Sequence, residues 1–244
     1  MRLAVIADIH ANLEALSAVQ SHLDGQHADQ VVCLGDVIGY NASPAECVAH
    51  LMHKKVPTIR GNHERMILGK IGGDVRQETM DAIEFTQELL TVEQMKWIES
   101  LPDHRIHMQE YLLVHGSPRD PDEYLTTPDK LKTALAKMRT TFGGLEICFF
   151  GHTHSPVVFS KDELVEKIHE DRQVLLKRRH LYMVNPGSVG QPRDGCNKAS
   201  YVILDTSDYA LHFFRVPYDV DGAKRRIKEA GLADKIAARL TFGK

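Results

Sequence analysis

Five short clusters carry residue types that bind metal ions: Asp8-Ile9-His10, Gly35-Asp36, Gly61-Asn62-His63-Glu64, His115-Gly116 and Gly151-His152-Thr153-His154. Mixed carboxylate, imidazole and amide ligands suit divalent manganese, iron or zinc. Each cluster alone is a weak signal, because Asp-x-His can be a capped turn and Gly-His pairs are common in loops. Their shared position is stronger. Each follows directly on an apolar run: Val5-Ile6-Ala7, Val31-Val32-Cys33-Leu34, Thr58-Ile59-Arg60, Leu112-Leu113-Val114 and Cys148-Phe149-Phe150. In open α/β sheets, ligands gather beyond the carboxyl ends of strands, so the clusters are expected to converge on one rim. Five of the 14 histidines (His10, His63, His115, His152 and His154) lie in them, a concentration that points to metal chemistry.

The positioning elements are legible in outline. The runs Leu3–Ala7, Val31–Leu34, Val56–Ile59, Tyr111–Val114, Ile147–Phe150 and Tyr182–Val184 are short and rich in β-formers, the pattern of buried strands. Between the first two, Leu13, Leu16, Val19 and Leu23 recur at helical spacing behind the N-cap Asn12, with Gly25 as the expected stop. A second helix is expected from Pro44 to Lys54, with Ser43 capping and Cys47, Val48 and Leu51 as its apolar face. Gln77–Leu90 and Thr91–Leu101 read as a helical pair restarted by a capping box at Thr91-Val92-Glu93-Gln94 and closed by Pro102. This insertion, at about 65–104, interrupts the sheet pattern and is a candidate cap over a cleft, with plain packing or an oligomer contact as the alternatives. Tyr201–Leu204 and Leu211–Val216, split by the turn-rich Asp205-Thr206-Ser207-Asp208, predict an antiparallel hairpin, and Asp221–Leu240 reads as helical.

Composition narrows the function classes. The 244 residues suit one α/β domain over 1–244, and neither a repeat nor a Pro/Gly/Ser linker marks an interior boundary. A formal charge of −3, with only the short basic runs Lys177-Arg178-Arg179 and Lys224-Arg225-Arg226, disfavours nucleic-acid binding. Cys33, Cys47, Cys148 and Cys196 are scattered without a CxxC pair, which suggests neither a thiolate zinc site nor a disulfide framework. The apolar start turns acidic at Asp8, too soon for a signal peptide, and no stretch approaches a membrane span. A cytoplasmic protein with reduced thiols is the expectation.

The order DxH, GD, GNHE, HG and GHTH, from Asp8 to about Asp194, resembles the calcineurin-like metallophosphoesterases. The segments GDVIGYNASPAEC and NPGSVGQPRDG are similar to the small bacterial branch related to diadenosine tetraphosphatases and serine/threonine phosphatases. The resemblance implies an α/β fold, a four-layer α/β/β/α sandwich with two mixed β-sheets flanked by helices. It also implies a binuclear centre with Asp8, His10 and His154 on one metal, Asn62, His115 and His152 on the other, and Asp36 bridging both. Two divalent ions are implied, manganese first, with iron or zinc as alternatives. Facing only Asp8 and Asp36 as carboxylates, such a centre stays positive, favours a phosphate oxyanion and lowers the pKa of bound water for in-line attack on phosphodiesters or phosphomonoesters. His63 matches the family's histidine that stabilises the transition state or protonates the leaving group.

Asn62 and Arg193 are the expected substrate contacts, Arg193 through a guanidinium that matches phosphate; a solvated or ion-paired arginine is the alternative. Glu64 stands where many relatives carry Asp. Arg60 invites the same reading as Arg193 with the same caution, Tyr40 and Asn41 read first as an ordinary loop, and Trp97 reads as packing. The expected partner is a small phosphorylated substrate, with no nucleic acid and no membrane; a homo-oligomer stays open. Two rivals remain: an interaction scaffold on the same fold without turnover, and a metal hydrolase of other chemistry, such as amide cleavage.

Overall fold

A computed structural model of the chain describes residues 1–71, 75–161 and 166–244. The amino-terminal half contains β1 (Arg2–Ile6), α1 (Leu13–Gln26), β2 (Gln30–Cys33), α2 (Pro44–His53), α3 (Asn62–Ile67), α4 (Gln77–Leu89) and α5 (Val92–Ser100). The middle contains β3 (His104–His107), β4 (Tyr111–Val114), α6 (Pro128–Thr141), β5 (Ile147–Phe149), β6 (Val157–Ser160), β7 (Glu166–Lys167), β8 (Arg172–Leu175) and β9 (Tyr182–Asn185). The hairpin β10 (Ala199–Asp205) and β11 (Ala210–Val216) follows, then α7 (Val220–Glu229) and α8 (Asp234–Phe242).

The strands form a five-stranded sheet in the order β2-β1-β10-β11-β8 and a six-stranded sheet in the order β3-β4-β5-β9-β6-β7. Both are mixed: β1 and β2 run parallel, as do β4, β5 and β9, and the remaining neighbours are antiparallel. Alternating side chains bind the layers, as the two-residue period of a strand requires. Leu3, Val5, Val202 and Leu204 of the first sheet meet Leu113, Phe149 and Val184 of the second in the buried space between the sheets. Ala4, Ile6, Tyr201 and Ile203 turn outward onto Leu16, Val19, Val48, Leu51, Ile83 and Ile98 of the helices. On the opposite side, Leu112, Cys148 and Met183 pack on Leu131, Leu135 and Met138 of α6. The expected sandwich of two sheets between helical layers is the observed one. Each fully buried side chain of this size contributes about 1.5–3 kcal/mol.

Several expectations are corrected. Val56–Ile59 is no strand: one parallel bridge, Cys33 to Thr58, is all it forms, because Pro57 has no N–H to donate. Helix α1 runs past Gly25 and ends at His27, in the left-handed region at φ 53°. Ser43 makes no side-chain cap on α2, where Pro44 starts the helix unaided. The Asp221–Leu240 stretch is two helices broken at Gly231, which has φ 71°. The hairpin register pairs Asp205 with Ala210 as the turn chemistry required.

The helical pair is as expected, with Thr91 Oγ1 accepting from the Gln94 N–H (3.2 Å) and Gln94 Oε1 from the Thr91 N–H (3.0 Å). Part of the sequence insertion, residues 72–74, lies outside the described residues. Trp97 is half-buried packing against the outer core. All four cysteines are free thiols. Among the described residues no helix is long and apolar enough to cross a membrane.

Candidate active site

The loops after β1, β2, β4 and β5 meet at one rim of the sandwich, where the two sheets come together. Backbone hydrogen bonds zip the first two: His10 N to Asp36 O (2.8 Å) and Ala11 N to Val37 O (2.8 Å). The Asn41 side chain donates to His10 O at 2.6 Å, so it holds the loop and does not line an opening. Across the sheets, the His152 N–H donates to the Asp8 carboxylate at 3.1 Å. Asn62 and His63 do not end a strand; they open helix α3, and the His63 N–H donates to Asp36 Oδ1 at 2.9 Å.

The ligand-type atoms gather in two groups: Asp8, His10, Asp36 and His154 in one, and Asp36, His115 and His152 in the other, with each group's ligand atoms within 4.8 Å of one another. Asp36 belongs to both. Asn62 Oδ1 lies 3.0 Å from His115 Nε2 and joins the second group. The backbone bends hard to achieve this: Asp8, His10, Asp36, His152 and His154 all sit at φ between 48° and 65°, a region side-chain-bearing residues rarely adopt.

The tautomers follow from the outer partners, since a carbonyl can only accept. Nδ1–H of His10 faces Ile38 O (3.2 Å), that of His115 faces Leu34 O (2.8 Å), and that of His154 faces Gln191 O (2.6 Å). Nε2–H of His152 faces Asp122 O at 3.2 Å. In the neutral form of each ring the inward nitrogen is therefore a bare lone pair. His10 Nε2 and His154 Nε2 point at each other across 3.1 Å, and His115 Nε2 and His152 Nδ1 do the same across 3.1 Å. Carboxylate and amide oxygens complete a lining of acceptors, which repel one another unless something positive lies between them. The donor set thus fits divalent cations.

The proton affinities agree. Burial pushes the Asp8 carboxyl up to about 7, countered by His115 and reinforced by Asp36. Burial acts the same way on Asp36, but His115 and His63 outweigh it and hold that carboxyl well below the usual range. Against burial, Asp36 draws His115 up to about 10, so one proton can cover the second group. In the first group a proton falls to Asp8, since burial pushes His10 and His154 well below the ordinary imidazole value. Burial also lowers His152 to about 3 and His63 to about 4.

The His63 ring packs against Tyr40 and His10, with centroids 4.5 and 4.7 Å away. Its Nδ1 is buried against Gly39 and has no hydrogen-bond partner among the described residues. Glu64, fully buried, accepts from four backbone N–H groups: Asp36 (2.9 Å), Val37 (2.8 Å), Ile38 (3.2 Å) and Gly61 (2.8 Å).

Arg193 lines the adjoining cleft of about 530 Å³ together with Tyr40 and Asn62. Arg60 is committed elsewhere, donating to Asp103 Oδ1 (3.0 Å) and to Glu99 O (2.9 Å). Tyr124, whose ring covers His152 at 3.7 Å, and Arg239 and Lys244 of the carboxyl-terminal helix region also reach the cleft. No residue pattern around them in the sequence pointed there.

A family model described as the calcineurin-like phosphoesterase superfamily domain matches residues 1–209, a span that contains every ligand-type residue of the rim. The chain belongs to the calcineurin-like phosphoesterase superfamily. An uncharacterized protein of Methanocaldococcus jannaschii is 36% identical, over 99% of this chain and 98% of its own. The crystal structure of a metallophosphoesterase from Sphaerobacter thermophilus is similar at 33% identity and a TM-score of 0.86, covering 100% of this chain and 99% of that one. A hypothetical protein from Pyrococcus horikoshii shares the fold at 21% identity and a TM-score of 0.81, covering 100% and 98%. Membership in this divalent-metal-dependent superfamily supports a hydrolase in general, and the acceptor-lined rim carries residues that could hold metal ions.

Proposed function

We propose that this calcineurin-like phosphoesterase hydrolyses phosphodiester or phosphomonoester bonds of small phosphorylated molecules in the cytoplasm, using two divalent cations, manganese first and iron or zinc as alternatives. The observation that carries the reading is the pair of His/Asp pockets sharing Asp36 and opening beside a cleft lined by Asn62 and Arg193. In this reading Asp8, His10 and His154 hold one cation, Asn62, His115 and His152 hold the other, and Asp36 bridges. Bound there, the cations would supply Lewis-acid charge to the phosphate oxygens and would lower the pKa of a bound water towards neutrality.

The chain's own residues do the rest. Arg193, whose guanidinium bonds neutral oxygens of Tyr40 (3.4 Å) and Gln191 (3.2 Å), is free to orient a phosphate. His63, clamped between Tyr40 and His10, gives a proton to the leaving oxygen.

The test is hydrolysis of bis(p-nitrophenyl) phosphate and p-nitrophenyl phosphate by metal-stripped protein, with Mn²⁺, Zn²⁺, Fe²⁺ or Mg²⁺ added back. Turnover is expected only with metal. Asp36→Asn abolishes it, and His63→Gln lowers it by about 10²–10⁴ while metal uptake persists. No turnover of either ester together with no metal uptake would replace this reading with a scaffold role.

A further inference from the structure

The cleft beside the metal rim carries a charge pattern that hydrolysis of one phosphate does not explain. Arg76, Arg193, Arg239 and Lys244 line it, and no Asp or Glu side chain does among the described residues, although the whole chain has 33 acidic against 30 basic residues. The four cations come from separate elements: Arg76 precedes α4, Arg193 lies in the loop after β9, Arg239 is on α8, and Lys244 lies just beyond it.

Tyr40 is the hub. Its ring contacts His10 and His63 on one side, at 4.6 and 4.5 Å, and the guanidinium carbons of Arg193 and Arg239 lie 5.8 and 5.9 Å from its centroid. The cationic end of the cleft therefore stands one aromatic ring away from the candidate metal ligands. Arg193, half-buried, forms no ion pair among the described residues; its partners are neutral oxygens. A poorly solvated guanidinium with no carboxylate paired to it favours an incoming anion. Arg239 leans on Glu78 at 3.4 Å, which holds α8 against α4 and fixes the direction of that guanidinium. The loop 193–196 is tied to the same tail by Gly195 N to Gly243 O, at 2.9 Å. Arg239 and Lys244 lie beyond residue 209, where the superfamily match ends.

We propose that this cleft is a second anion subsite, and that the preferred substrates carry a further phosphoryl group beyond the one presented to the metals. The inference rests on the phosphoesterase reading for the position of the first phosphate. Arg193 faces both groups; Arg76, Arg239 and Lys244 hold the second. A volume of about 530 Å³ accommodates a small molecule.

The test is calorimetric binding of butylphosphonate and butane-1,4-bisphosphonate to the Mn²⁺-loaded full chain. Neither can be hydrolysed, so binding is read apart from turnover. The bisphosphonate is expected to bind at least about tenfold tighter. Arg239→Gln is expected to bring the ratio towards one. Because that change also removes the contact with Glu78, Arg76→Gln, at an exposed position, is the second variant and is expected to reduce the ratio as well. Equal affinities in the unsubstituted chain, or a ratio that neither variant changes, would overturn the inference. Failure of the nitrophenyl ester assay would sink the hydrolase reading and leave this ratio measurable, whereas equal affinities in an active enzyme sink the subsite alone.

Discussion

Gly39 shows how little room surrounds the proposed proton donor. It sits at φ 83°, and a β-carbon there would collide with the His63 ring at Nδ1. Both the backbone conformation and the contact require glycine. Gly39→Ala is expected to push His63 out of line and lower turnover of p-nitrophenyl phosphate by at least tenfold, with bound metal per chain unchanged; equal turnover would show that His63 tolerates displacement. At this scale the sequence was most informative. Asp8, His10, Asp36, His115, His152 and His154 stood out because side chains that ligate metals are few and each followed an apolar run. Glu64 was visible only as a departure from Asp, because its role lies in accepting four backbone N–H groups, and a backbone donor leaves no trace in residue identity. Tyr124 and Arg239 were silent for another reason: a tyrosine in a loop and an arginine on an amphipathic helix have many ordinary uses.

Between elements, the same glutamate ties the amino end of α3 to the loop after β2. Its carboxylate has an acceptor for each donor in that pair of turns, whereas an amide has one oxygen and an NH₂ that would face the N–H groups. Glu64→Gln is expected to cost about 1–3 kcal/mol. For a chain of this size each kcal/mol lowers the melting temperature by roughly 2–4 °C, readable by calorimetry. An unchanged melting temperature would show that the clamp carries no stability. The elements that sequence patterning found are those with a clear period and a local stop signal, such as α2, α5 and the β10–β11 hairpin. It missed α3, whose six residues are too few to show a period, α6, although Thr127, Pro128 and the Leu131, Leu135 and Met138 face carry a helix signal, and β3, β6, β7 and β8, which are edge or short strands with little alternation to read. The helical insertion does not resolve into cap or packing. Ile83 and Ile98 enter the outer core while Arg76 and Thr79 reach the cleft, so deleting Gln77–Leu101 would remove core and cleft wall together.

At the scale of the molecule, the rim joins the two sheets through charge as well as through apolar contact. Asp8 and His10 follow β1 of one sheet, while His115, His152 and His154 follow β4 and β5 of the other. A cation bound only by the folded arrangement stabilises it by mass action, about 2.7 kcal/mol at a hundredfold excess over Kd. Adding Mn²⁺ to stripped protein is therefore expected to raise the melting temperature by roughly 5–10 °C, and Asp36→Asn is expected to blunt the rise. No shift in the unsubstituted chain would mean that the rim binds no ion of consequence. The layered architecture was within reach of the sequence, but the strand order was not, because pairing between β1 and β10, nearly two hundred residues apart, is written only in which face of each strand is apolar.

The left-handed backbone of five rim residues bears on how the chain can change over time. Glycine or asparagine would relax each of those turns, and neither would supply the imidazole or carboxylate now there. Replacing Asp8, His10, Asp36, His152 or His154 by glycine is therefore expected to relax its turn and at the same time to remove a metal-binding side chain from the rim.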